Sequence, residues 1–131
     1  MKNIYEFEMP PALKDFLIYM QTIKGKSQNT VKVYFYDLRL FFRFMKVYRN
    51  LVNKDTDFES ISIADIDNDF IKSITLSDLY AFMSFVSNER DNSSYARARK
   101  VAALKSFFKY HTIKTRLLDH NPAAELDSPK I

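Results

Sequence analysis

The 131-residue chain is 47% hydrophobic and 15% aromatic and carries a net charge of +4, which suits one globular domain with a real core and excludes disorder as a description of the whole. It contains no Cys and only two histidines, His111 and His120; this excludes disulfides, thiolate metal sites and thiol catalysis and leaves no helical metal-ligand pair, so neither a metal nor a cofactor is expected. A single glycine, Gly25, removes phosphate-cradling loops and most tight hairpins, and an all-α fold is what remains.

Pro10 and Pro11 can open a helix at its first turn. Leu13, Phe16, Leu17, Met20 and Ile23 then repeat at spacings of three and four before Gly25 stops the run, so a first helix is expected over roughly residues 10–24. Ser27 fits the N-cap of a long second helix from 29 to about 49, with Tyr34, Leu38, Phe41, Met45 and Tyr48 as its apolar seam. Residues 51–60 are polar and aperiodic and read as a loop. Ser62 with Asp65, and Thr75 with Asp78, have the spacing of a capping box, which predicts a short helix near 63–71 and a firmer one near 76–88. Residues 90–94 are turn-like. A last long helix is expected from 94 to about 112, with Val101, Leu104, Phe108 and His111 along one side. Asn121 and Pro122 then cap a short helical turn that ends before Ser128 and Pro129. No apolar run of about 18 residues occurs, and Glu6 and Glu8 stand where a secretory signal would be apolar. The chain is therefore expected to be soluble, unexported and cytoplasmic, with no membrane partner.

Charge is unevenly spread. Residues 27–49 hold five basic and one acidic side chain, residues 50–74 two and six, and residues 93–116 seven and none. In helical projection the second helix places Lys32, Tyr36, Arg39, Arg43 and Lys46 on one flank, a row about 20 Å long opposite the apolar seam. The last helix groups Arg99, Ala102, Lys105, Ser106 and Lys109, with small side chains between the charges. A solvated face accounts for such rows on many soluble helices. Seven cations without a carboxylate, however, forgo the opposite-charge pairs of a merely soluble helix, and an external polyanion would relieve their repulsion. Two basic helices suit duplex DNA, whose major groove admits one helix.

Other residues read as ordinary parts of a fold. Tyr34 and Tyr48 suit buried tyrosines with bonded hydroxyls, Asp37 a partner for an Arg or Tyr of a neighbouring helix, His111 a core or rim position, and Tyr36, Tyr95 and Tyr110 covers for helix rims. No Ser-His-Asp, Cys-His or clustered-carboxylate constellation is present, so no catalytic residue is assigned.

Ser27, Thr30, Tyr34, Asp37, Leu38, Phe41 and Phe44 spell a pattern that resembles the N-terminal core-binding domain of tyrosine recombinases of the Xer and phage-integrase type. The stretch from Arg97 through Leu104, Lys105, Ser106, Phe107 and Phe108 is similar to that family's basic helix. Asn121-Pro122-Ala123 with Pro129-Lys130 is similar to its exit into an interdomain linker, here expected over 127–131. The resemblance covers residues 13–130. It implies a compact SAM-like bundle of four to five helices, one domain over 1–131, forming half of a clamp on double-stranded DNA. The catalytic domain would be absent from this chain, so the fragment alone is no enzyme. The full-length relatives cut and rejoin DNA through a phosphotyrosine intermediate, alongside other recombinase protomers in a synaptic complex. Residue by residue, the resemblance implies DNA contacts at Ser27, Thr30, Lys32, Arg39 and Arg43 on the second helix and at Arg99, Lys100, Lys105 and Lys109 on the last. Most would hold phosphates, with Arg99 and Lys105 reaching base edges. Lys105 stands where relatives often have Arg, which would forfeit a bidentate guanine contact. The acidic stretch 55–69, longer than in compact relatives, reads as a loop away from DNA. The competing expectation is a helical protein-interaction or oligomerisation module that buries an aromatic ridge, Phe35 with Phe42, against a partner.

Overall fold

The computed structural model describes residues 3–89 and 93–129, without the side chain of Glu89. Among these residues it is all-helical, with no strand: α1 (Pro11–Thr22), α2 (Gln28–Tyr48), α3 (Asn68–Lys72), α4 (Leu76–Glu89) and α5 (Ser94–Ile113), with single 3-10 turns at Ile4–Glu6 and Phe58–Ser60. The chain divides into two compact units, Met1–Asn68 and Asp69–Ile131.

In the first unit, α1 begins where Pro11 fixes φ and lacks an N–H that would have no partner. It buries Leu13, Phe16, Leu17 and Met20. Beyond it Gly25 adopts φ +67, a left-handed turn that glycine makes without a Cβ penalty. Ser27 then caps α2, its Oγ accepting the Thr30 N–H at 3.1 Å. The two helices lie against each other, with Phe16 edge-on to Tyr34 at 6.0 Å between centroids. The buried face of α2 is wider than the expected seam, for Val31, Phe35, Leu38, Phe41, Phe42 and Met45 are all sealed from solvent. Phe35 and Phe42, expected on an outward aromatic ridge, are at 0% exposure, and Phe35 stacks on Phe7 at 5.5 Å. The ends of the seam depart the other way: Tyr34 is half-buried and Tyr48 exposed.

The Ser62–Asp65 capping box does not form. The Asp65 carboxylate turns to Lys46, 2.6 Å from its Nζ, and Ser62 Oγ accepts only the Ala64 N–H, at 3.2 Å. Irregular chain replaces the helix expected near 63–71, anchored by buried Ile61, Ile63 and Ile66, and α3 is confined to Asn68–Lys72.

In the second unit the Thr75–Asp78 box is reciprocal. The Thr75 N–H donates to Asp78 Oδ2 at 2.9 Å and the Asp78 N–H to Thr75 Oγ1 at 3.2 Å, which satisfies donors that the start of α4 leaves open. Of the expected turn at 90–94, residues 90–92 lie outside the described residues; Ser93 caps α5 through the Ala96 N–H at 3.0 Å. α4 packs on α5, with Leu79, Phe82, Val86, Leu104, Phe107 and Phe108 buried. His111 is 2% exposed, its Nδ1 2.9 Å from Thr115 Oγ1. Past α5, Arg116 takes φ +61, the chain reverses, and the Leu118 N–H returns to the His111 carbonyl at 3.0 Å. Asn121 Oδ1 accepts the Ala123 N–H at 2.8 Å and starts a turn over 122–125 that does not continue as a helix.

Candidate nucleic-acid interface

The flank of α2 splits into two halves with different surroundings. At its N-terminal end Ser27 and Thr30 are exposed and bonded to each other, Ser27 Oγ donating to Thr30 Oγ1 at 3.0 Å. Lys32, half-buried, lines a cleft with Tyr5, Gln21 and Gln28.

Toward the C-terminal end the cations serve the fold. Arg43 donates from Nε to the Ile61 carbonyl at 2.9 Å and from a terminal nitrogen to Glu59 at 3.2 Å. Lys46, expected on the exposed flank, is buried and donates to the Ser62 carbonyl at 2.8 Å as well as to Asp65. The hydrogen bond from Lys46 holds the Asp65 carboxyl below its ordinary value. Part of the acidic stretch 55–69 therefore neutralises this half of the flank.

Arg39 lies between these halves on an aromatic platform. Its guanidinium carbon is 5.3 Å from the ring centre of Phe7 and 5.1 Å from those of Phe35 and Tyr36. Cation–π attraction fixes the plane of the group without consuming its N–H donors.

On α5 the expected row also divides. Lys109 is exposed and Arg99 half-exposed. Lys100 is only 5% exposed, because at 3.6 residues per turn it stands one turn before buried Leu104, on the same side of α5. Lys105, assigned a base-edge reach, instead donates to the Leu126 carbonyl at 2.7 Å and to those of Ala123 and Ala124 at 3.4 Å. Helical projection showed which side of α5 Lys105 occupies, but the returning segment 118–126 that covers it is a long-range feature. Among the described residues, no buried side-chain nitrogen or oxygen lacks a hydrogen-bond partner, buried Asp37 included. No group of three or more His, Asp or Glu side chains there is placed to hold a metal ion. No helix there is long and apolar enough to cross a membrane.

Residues 13–114 match the family model "Phage integrase, N-terminal SAM-like domain". The chain belongs to this family. Its relatives include a tyrosine recombinase XerC of Caldanaerobacter subterraneus subsp. tengcongensis, 52% identical over 93% of the chain and 35% of the relative. A XerC of Herpetosiphon aurantiacus is 34% identical over 94% of the chain and 34% of the relative. A XerD of Listeria monocytogenes serotype 4b is 30% identical over 93% of the chain and 35% of the relative. This SAM-like chain thus spans about a third of the length of these recombinases. No solved structure matches it.

Proposed function

We propose that this chain is the DNA-gripping module of a site-specific tyrosine recombinase and engages duplex DNA through α2 and α5. Family membership supplies the class of protein. The observation that carries the DNA reading is the run 93–116, with seven basic residues and no acidic one, five of them on α5, where Lys109 is exposed and Arg99 half-exposed. In this reading Ser27, Thr30, Lys32 and Arg39 of α2, with Arg99 and Lys109 of α5, contact the duplex. Phosphate contacts set orientation, and Arg39, with its plane already fixed, suits a bidentate acceptor pair such as guanine O6 and N7. Arg43, Lys100 and Lys105 support the site from within the fold. The module supplies grip and orientation; strand cutting and rejoining, and the company of other recombinase protomers, belong to the longer protein.

Each phosphate neutralised releases counterions, so affinity for a short duplex should fall by about a hundredfold between 50 and 200 mM salt. Affinity that stays flat over that range overturns the proposal.

A further inference from the structure

A second group of cations lies within the second unit, on residues outside α5. Lys72, the last residue of α3, lines a cleft of about 300 Å³ together with Arg116 and His120, over buried Ile74 and Leu118; Asp119 is the one carboxylate on the wall. Among the described residues, Lys72, Arg116 and His120 form no ion pair and no side-chain hydrogen bond, and Asp119, though it lines the same cleft, pairs with none of them. Three unspent donor groups therefore share one concavity.

The backbone adds a second, independent observation. Arg116 sits at φ +61, a region where a side chain with a Cβ is strained and glycine is not. Gly25 serves the corresponding reversal after α1 at φ +67. The turn after α5 thus keeps an arginine where glycine would relieve the backbone, and that arginine lines a cleft with two other donors, all three exposed to solvent. A left-handed arginine is uncommon, and such outliers gather at ligand-holding positions.

We propose that Lys72, Arg116 and His120 form a binding site for a phosphate-type oxyanion. The guanidinium fork supplies two parallel N–H donors, the Lys72 ammonium a compact charge, and the imidazole a further donor. The same tetrahedral chemistry is presented by free phosphate and by the backbone of a nucleic acid, and none of the three residues belongs to α2 or α5.

The chain's two imidazoles make the test clean: His120 lies on the cleft, while His111 is buried and bonded to Thr115, an internal control. Imidazole signals are followed by NMR while inorganic phosphate, and separately a short duplex, is added. Movement of His120 with His111 still, on adding phosphate, supports a free-oxyanion site; the same movement with duplex only supports a backbone-phosphate site. If neither addition moves His120, the proposal is overturned. Saturation by phosphate with no duplex binding would sink the DNA reading and leave this site standing.

Arg116→Gly should raise the melting temperature and at the same time weaken phosphate binding by about tenfold, or lower the salt slope of duplex binding by about one. Asp119→Asn should tighten binding by removing the opposing charge. An Arg116→Gly protein that binds phosphate and duplex like the parent overturns the assignment.

Discussion

The Lys46–Asp65 contact is lopsided, with side-chain exposures of 11% and 72%. Losing one partner therefore costs different amounts from the two sides. Asp65→Ala leaves a buried ammonium with the Ser62 carbonyl alone and should destabilise by about 1–3 kcal/mol. Lys46→Met leaves a carboxylate that water solvates and preserves most of the stem's packing, so its cost should be clearly smaller. Urea titration of both variants checks the order, and equal costs would refute it. The depressed Asp65 carboxyl also fixes a pH dependence. Its folded value lies below the unfolded one, so its contribution is present above the unfolded Asp value, near pH 4, and is lost as pH falls through the lower folded value. Asp65→Asn should lower stability by a constant amount between pH 6 and 8 and flatten the acid limb, so that variant and parent converge at low pH.

Among the elements, α4 depends on its cap. Thr75→Ala should cost about 1 kcal/mol, with Asp78→Ala comparable because the two bonds are reciprocal. α5 depends on a longer-range tie. Lys105→Met frees the carbonyls of Ala123, Ala124 and Leu126, so amide exchange in residues 123–126 should speed up by about tenfold while duplex affinity barely changes. A large loss of affinity would instead return Lys105 to the DNA contacts. Helix positions were legible because their signals are local: proline at the start of α1, hydroxyl caps at Ser27 and Thr75, and glycine after α1; the Ser93 cap of α5 emerged only in the structure. The region 58–67 was not, since Asp65 satisfies two competing patterns and the winner, Lys46, lies 19 residues away. Likewise Phe35 and Phe42 are buried because α2 is covered on more than one side, which a single-seam projection does not convey. Of the expected DNA contacts, the residue types and helices were readable, but the partners of Arg43 and Lys105 are set by segments distant in sequence.

Across the whole molecule, core and candidate interface should respond separately to mutation. Phe108→Ala removes a fully buried ring and should cost about 3–5 kcal/mol without altering the salt slope of duplex binding. Lys109→Ala, on exposed surface, should lower that slope by about one and leave the melting temperature nearly unchanged. If both variants shift both quantities alike, the division between packing and binding surfaces is wrong. The grip of Lys105 on Leu126 also has a mechanical result. Because the Lys105 ammonium holds three carbonyls of the returning segment, residues 123–126 are tied to the middle of α5 and follow that helix when it tilts.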